Sequence, residues 1–141
     1  MFKYVHHVHY AVEDLDEMTK YLERNFGLKP DDVVEYKERA IRDAIYNIGE
    51  TQIQMTETTD PNSGIGKFLA KNGPGVYHVA WAVDDISKVA KQLAANGNKM
   101  RHGDGINESP RGYRVCNMEL ESSHGVWLEL AEAARKGKAD T

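Results

Sequence analysis

The stretch His7-Val8-His9-Tyr10-Ala11-Val12-Glu13-Asp14-Leu15 decides how this chain is organised, because a closely similar stretch occurs a second time. The second copy is His78-Val79-Ala80-Trp81-Ala82-Val83-Asp84-Asp85-Ile86. Each copy is followed by apolar residues at helical spacing and then by a glycine, Gly27 or Gly97. The two halves of the chain are therefore predicted to be one module used twice.

A second pair of similar stretches lies towards the end of each half. Thr51-Gln52-Ile53-Gln54-Met55-Thr56-Glu57 aligns with Val126-Trp127-Leu128-Glu129-Leu130-Ala131-Glu132. In this alignment Gln54 stands where the second half has Glu129. Each module thus offers a histidine near its start and a Gln or Glu near its end. The four candidates for a functional site are His7, Gln54, His78 and Glu129.

The first copy also predicts how its own residues are oriented. Residues 4–12 alternate between two faces, a period that is typical of a β-strand. The apolar face, with Val8 and Tyr10, is expected to lie beneath a helix, because apolar residues at helical spacing follow. This helical stripe consists of Leu15, Met18, Leu22 and Phe26. His7 is then predicted to lie on the face away from the helix, and so is His78 in the second copy.

The remaining elements complete each module in the same order. Further strands are predicted near residues 33–38, 40–48 and 51–58, and in the second half near 98–103, 112–120 and 125–132. A short helix over residues 65–71 links the halves, and the glycine-rich stretch 102–112 is predicted to be a loop.

The sequence therefore predicts an α+β fold, in which two tandem β-α-β-β-β modules form a shared, cup-shaped mixed β-sheet. We expect a single domain over residues 1–141. Its parts are module one over about 4–59, a linker helix over about 63–72, module two over about 76–132 and a flexible tail over 133–141.

Composition excludes several classes of partner. The net charge of −4 and the isoelectric point near 5.8 provide no general attraction to nucleic acid or to an anionic membrane surface. No apolar run approaches the roughly 20 residues of a membrane span. The single cysteine, Cys116, cannot form an internal disulfide and is expected to be an ordinary strand residue. A cytoplasmic protein that binds neither nucleic acid nor membrane is predicted.

The four candidate residues have the chemistry of an open metal site. Two imidazoles, one carboxylate and one amide oxygen suit a divalent ion such as Co, Mn, Ni, Zn or Fe(II). Structural zinc sites prefer thiolates and leave no vacancy, so this set instead predicts room for water or a substrate. Such an ion would polarise a carbonyl group and stabilise an enolate oxygen.

Proton transfer on both faces of a carbon acid needs a second proton-carrying group besides Glu129, because the amide of Gln54 cannot take a proton. Asp43, on the third predicted strand, is the candidate, and Glu38 is a weaker substitute. His9 shares the face of His7 and competes with it as a ligand, although only His7 matches His78 in the repeat.

Other polar residues are given surface roles. His6, His102 and His124 match nothing in the repeat and are interpreted as surface residues. Lys67, Lys71, Arg111 and Arg114 flank the predicted site, where they either meet phosphates of a ligand or are simply solvated.

Over residues 4–132 the sequence resembles a known family. The similar parts are the two quoted copies, the stretch Thr51-Gln52-Ile53-Gln54, the linker Gly66-Lys67-Phe68-Leu69-Ala70-Lys71-Asn72-Gly73 and the strand Gly125-Val126-Trp127-Leu128-Glu129-Leu130. They resemble the vicinal oxygen chelate (glyoxalase/bleomycin-resistance) superfamily and, within it, the methylmalonyl-CoA epimerase family. The resemblance implies that the metal ligands are His7, Gln54, His78 and Glu129, and that Asp43 is the second acid–base carboxylate.

The expected function is epimerisation of methylmalonyl-CoA or a related 2-substituted acyl-CoA by a metal-dependent isomerase that removes the α-proton and passes through a stabilised enolate. The alternatives are a glyoxalase I-like lactoylglutathione lyase, an extradiol-type dioxygenase and a non-catalytic ligand-binding relative. A homodimer is expected.

Overall fold

The computed structural model of the protein describes residues 1–133. Of the predicted tail over 133–141, residues 134–141 lie outside the described residues. The first half contains β1 (Val5–Ala11), α1 (Leu15–Phe26), β2 (Asp32–Tyr36), β3 (Ile41–Ile48), β4 (Thr51–Thr58) and α2 (Gly64–Asn72). The second half contains β5 (Gly75–Val83), α3 (Ile86–Ala95), β6 (Ile106–Glu108), β7 (Arg114–Cys116) and β8 (Leu128–Glu132). Short 3-10 turns occupy Lys37–Arg39 and Leu120–Ser123.

The strands of both halves follow one pattern. The strands of the first half lie in the order β2-β3-β4-β1, and those of the second half lie in the order β5-β8-β7-β6. In the first half β1 pairs parallel with β4, while β3 pairs antiparallel with β2 and β4. In the second half β5 pairs parallel with β8, while β7 pairs antiparallel with β6 and β8. The predicted α+β fold with two β-α-β-β-β modules is confirmed.

Helix α1 shows why the first copy folds as predicted. Asp14 caps its N-terminus by accepting a hydrogen bond from the backbone N–H of Glu17 at 3.0 Å. Gly27 ends it in the left-handed region, with φ of 64°. Burial of each helix leucine contributes about 1.5–3 kcal/mol. The cluster beneath α1 contains Val12, Leu15, Leu22, Ala44, Tyr46 and Met55.

One member of the predicted helical stripe is misplaced. Phe26 is 69 % exposed, although it continues the spacing of Leu15 and Leu22. It lies in the last turn of α1 and contacts the ring of Tyr21 at 6.2 Å between centroids. Helical periodicity therefore predicts the buried face of this helix up to Leu22 but not in its last turn.

Helix α3 repeats this arrangement in the second half. Asp85 caps it by accepting from the backbone N–H of Lys88 at 3.0 Å. Its cluster contains Val83, Ile86, Val89, Ala90, Met100, Cys116, Met118 and Leu130. Trp81 and Leu93 are partly buried against the same cluster, as the repeat predicts.

The predicted strand near residues 98–103 and the predicted loop over 102–112 are both wrong in part. Only Met100 forms an isolated bridge, to Met118, and the chain then turns through Gly105, whose φ is 83°. The backbone N–H of Asn117 donates to the carbonyl of Gly105, so the turn is tied to the neighbouring chain. Strand β6 follows inside the stretch predicted to be a loop. Its three residues are too few to give a clear period.

By its backbone contacts the chain divides into two compact units. Within the described residues, one unit consists of residues 7–78 and the other of residues 1–6 together with residues 79–133. The predicted boundaries of the modules within a single domain stay a prediction. Among residues 1–133, no helix is long and apolar enough to cross a membrane.

Candidate functional site

Two buried histidines come together in the unit of residues 7–78. His7 lies on β1 and is 2 % exposed, and His78 lies on β5 and is 8 % exposed. Their Nε2 atoms are 3.2 Å apart, and the rings meet edge to face. Two ligand nitrogens of one ion lie about 3.0–3.4 Å apart when metal–nitrogen distances are about 2.1 Å and ligand angles about 90–110°. The observed spacing therefore fits two imidazole ligands of a single ion.

Gln54 lies on the same face of the sheet as His7. In the parallel register of β1 and β4, His7 pairs with Gln52 and His9 with Gln54. Because side chains alternate along a strand, all four belong to one face. Gln54 is buried, and among the described residues the buried Oε1 of Gln52 has no hydrogen-bond partner.

Asp43 is held by a residue that sequence reasoning missed. It lies on β3, opposite Thr56 of β4, and is 7 % exposed. The hydroxyl of Thr56 donates a short hydrogen bond to Oδ1 of Asp43. Nε2 of His9 lies 2.6 Å from the same hydroxyl oxygen. Asp43 is thus fixed by a side-chain network, whereas Glu38 is exposed in a 3-10 turn, which favours Asp43 over Glu38 as a proton-carrying group.

In the other unit, Glu129 is held by a different network. It lies on β8 and is 7 % exposed. Nδ2 of Asn117 donates to Oε1 of Glu129 at 3.2 Å, and the indole N–H of Trp127 donates to Oδ1 of Asn117 at 2.6 Å. The guanidinium group of Arg101 stacks on the Trp127 ring at 4.7 Å. Asn117 and Trp127 were not predicted from the sequence, because nothing in their local pattern shows that they meet Glu129.

The described part of the chain contains the residue types of a potential metal-binding site. Within the unit of residues 7–78, His7 and His78 are buried and each offers a ring nitrogen, and in the other unit Glu129 is buried and offers a carboxylate oxygen. Divalent transition ions accept such nitrogen and oxygen donors. His9 does not belong to this set.

The other polar candidates have different surroundings. His102 and His124 are exposed, as predicted. His6 is instead half-buried, with its ring 4.6 Å from that of Tyr113. Arg114 forms an ion pair with Glu132 at 3.0 Å, which raises the pKa of its guanidinium group. Lys67 and Lys71 are exposed.

Cys116 is a strand residue, as predicted, and it belongs to the core. It lies buried on β7 in the cluster beneath α3. Burial raises the pKa of its thiol to about 11, because the apolar surroundings disfavour the thiolate. The thiol is therefore protonated near neutral pH and is poorly suited to nucleophilic chemistry.

The chain is similar to a known family and to known proteins. The family model described as Glyoxalase/Bleomycin resistance protein/Dioxygenase superfamily matches residues 6–117. Mitochondrial methylmalonyl-CoA epimerase of Mus musculus is 28 % identical over 131 residues, which cover 92 % of this chain and 72 % of the relative.

Solved structures show the same likeness. A methylmalonyl-CoA epimerase variant of Streptomyces coelicolor in complex with 2-nitronate-propionyl-CoA is 27 % identical, with a TM-score of 0.83, over 95 % of this chain and 96 % of that chain. A methylmalonyl-CoA epimerase in complex with methylmalonyl-CoA and NH4+ is 27 % identical, with a TM-score of 0.82 and the same coverage. The prediction of an isomerase that resembles these epimerases is confirmed.

Proposed function

Because the chain belongs to the Glyoxalase/Bleomycin resistance protein/Dioxygenase superfamily, we propose that it epimerises methylmalonyl-CoA or a related 2-substituted acyl-CoA with the help of a divalent metal ion. The observation that carries the proposal is the buried pair of His7 and His78, with Nε2 atoms 3.2 Å apart, in a chain similar to methylmalonyl-CoA epimerases. The acyl-CoA ligands of the solved relatives support the substrate class.

In this proposal the metal ligands are His7, Gln54, His78 and Glu129. When bound, a divalent ion supplies positive charge that polarises the thioester carbonyl and lowers the energy of the enolate. The donor set supports Co, Mn, Ni, Zn or Fe(II) as the ion. Gln54 contributes a neutral donor, so Glu129 is the only anionic ligand of the set.

Asp43 and Glu129 transfer the proton in the proposed reaction. One carboxylate removes the α-proton from one face of the carbon, and the other, in its protonated form, delivers a proton to the opposite face. The acid and the base then exchange their protonation states, and no atom is gained or lost by the substrate. Burial of both carboxylates supports this role, because it keeps competing water away from the enolate.

The proposal is tested by isotope exchange. Wild-type protein incubated with racemic methylmalonyl-CoA in heavy water should place deuterium at the α-carbon, and EDTA should stop the exchange until cobalt is added. An absence of exchange in cobalt-loaded protein would remove the epimerase function. A second arm with a glutathione hemithioacetal detects a lyase, and oxygen uptake with catechols detects a dioxygenase.

A ligand-binding relative without activity is separated by one substitution. If Glu129 only lines a binding site, Glu129→Gln should leave acyl-CoA binding unchanged and the wild type should show no turnover. Under the epimerase proposal, the same substitution lowers exchange and weakens metal binding together.

The proposal extends to assembly and location. For a homodimer, light scattering after size-exclusion chromatography should give twice the chain mass of 15.9 kDa. The mass of a single chain would contradict the homodimer. A cytoplasmic location is supported by the single cysteine and is tested by fractionation of the source cells.

A further inference from the structure

The side chains of His9 and Thr56 form a chain of hydrogen bonds in which each donor points towards the carboxylate of Asp43. A threonine hydroxyl has one proton, and Thr56 donates it to the carboxylate of Asp43. The contact between Thr56 and His9 at 2.6 Å therefore requires His9 to donate its Nε2–H. The chain leads from imidazole to hydroxyl to carboxylate. Because Nε2 of His9 carries a proton in this arrangement, that atom has no lone pair for a metal ion, which favours His7 as the ligand from β1.

The repeat provides an internal comparison for these three positions. In the first half Ala11 pairs with Thr56, and in the second half Ala82 pairs with Ala131. Thr56 thus corresponds to Ala131. By the same registers, the residues of the second half that correspond to His9, Thr56 and Asp43 are Ala80, Ala131 and Val115.

The second half fills these positions with an apolar cluster. Ala80, Val115 and Ala131 are buried together, with Tyr113 packed against them. The fold therefore forms at these positions without any polar side chain. Burying a carboxylate and a hydroxyl is costly, and apolar replacements of such groups are often neutral or stabilising. The polar chain of the first half is thus better explained by a role in chemistry than by stability.

We propose that His9 and Thr56 are positioning residues that hold Asp43 for proton transfer, an inference that rests on the proposed epimerase function. Thr56 engages Oδ1 of Asp43 and so fixes the orientation of the carboxylate that takes and returns the α-proton. His9 in turn orients the Thr56 hydroxyl. Aspartate is one methylene shorter than glutamate, so its reach is limited, and a misplacement of about 1 Å costs about 10²-fold in rate.

The test measures each face of the carbon separately. Each pure epimer of methylmalonyl-CoA is incubated in heavy water, and deuterium is counted in substrate recovered with unchanged configuration. Such exchange without inversion reports the carboxylate that removes and returns the proton on one face. In Thr56→Val and His9→Ala, exchange should fall about 10–100-fold for one epimer and remain near the wild-type rate for the other.

The matched variants separate positioning from folding. Thr56→Ser keeps the hydroxyl and should restore exchange. Thr58 lies on β4, as Thr56 does, and its hydroxyl donates to the carbonyl of Ala40. Thr58→Val removes this hydroxyl and should leave the exchange rates of both epimers unchanged. The double variant His9→Ala/Thr56→Val should lose little more than Thr56→Val alone, because both residues act through one chain.

Cobalt binding provides a readout that does not depend on turnover. Titration of cobalt into Thr56→Val and His9→Ala should give wild-type affinity and stoichiometry. Equal loss of exchange for both epimers, weaker cobalt binding in His9→Ala, or no rescue by Thr56→Ser would overturn the positioning role while leaving the epimerase intact. A wild type that exchanges neither epimer would remove the epimerase function itself, and this inference with it.

Discussion

The two halves of the sheet use the same three positions differently. The first half places His9, Thr56 and Asp43 there, and the second half places Ala80, Ala131 and Val115. Both sets are largely buried, and both halves form the same strand pattern. The difference shows that the same strand pattern forms with either polar or apolar residues at these positions, which is what the proposed positioning role of the polar set requires.

The second half supports its own carboxylate at another position. Glu129 corresponds to Gln54 of the first half, and it is held by Asn117 and Trp127. The amide of Asn117 and the indole of Trp127 donate hydrogen bonds, but neither group gains or loses a proton near neutral pH. Each half contains one of the two repeat histidines and one buried carboxylate, and the networks that hold these carboxylates are unrelated.

The largest expected effect comes from replacing the three polar residues of the first half with the apolar residues that occupy the equivalent positions of the second half. The variant His9→Ala/Thr56→Ala/Asp43→Val should lose epimerisation by about 10²–10⁴-fold, because one proton-carrying group is removed. Its melting temperature should stay close to that of the wild type, because the second half already packs these residues. Thermal unfolding and the exchange assay measure both. A variant that no longer unfolds cooperatively would show that the fold needs the polar set.

The next largest effect is expected at the two histidines that occupy equivalent positions in the two halves. Since His7 and His78 occupy equivalent positions, His7→Ala and His78→Ala should weaken cobalt binding by similar factors. Each loss of cobalt affinity should exceed the loss of about 10–100-fold that follows when a residue supporting a metal ligand is removed. Calorimetric titration measures the affinities, and His124→Ala is the exposed histidine control. A large loss in only one of the two variants would contradict their equivalence.

A smaller effect is expected from the network that is specific to the second half. Asn117→Ala removes the donor to Glu129, and cobalt affinity should fall by about 10–100-fold. Trp127→Phe keeps the ring but removes its N–H, so its effect should be weaker. Unchanged affinity in Asn117→Ala would show that this network does not orient Glu129.

The smallest effect on function is expected at Cys116, in the apolar region of the second half. Its thiol has a pKa of about 11 instead of 9.0, so about 100-fold less thiolate is present at pH 8 than in the unfolded chain. Iodoacetamide should therefore label the native protein slowly and the unfolded protein fast. Because the folded-state pKa is the higher one, this group favours folding below pH 9 and loses that contribution as the pH rises towards 11. Fast labelling of the folded protein would contradict the burial.

Most of the module pattern was predictable because strand and helix periods are local. The alternation before Asp14 and the stripe after it predicted β1 and α1, and the repeat extended both predictions to β5 and α3. The failures have local causes as well. Strand β6 is too short to show a period, and Phe26 keeps a helical spacing in the last turn of α1, where it is exposed.

By itself the sequence determined the two-module fold and the pairing of His7 with His78, because a repeat makes equivalent residues recognisable without coordinates. Only the tertiary structure decided that Thr56 and His9 hold Asp43, and that Asn117 holds Glu129. His9 and Thr56 are 47 positions apart, and no local pattern shows that the parallel pairing of β1 with β4 brings them together. Thr56 and Asp43 face each other across the β3–β4 hairpin, whose turn sets their register. The sequence did not single out these partners, because their residue types are common on surfaces.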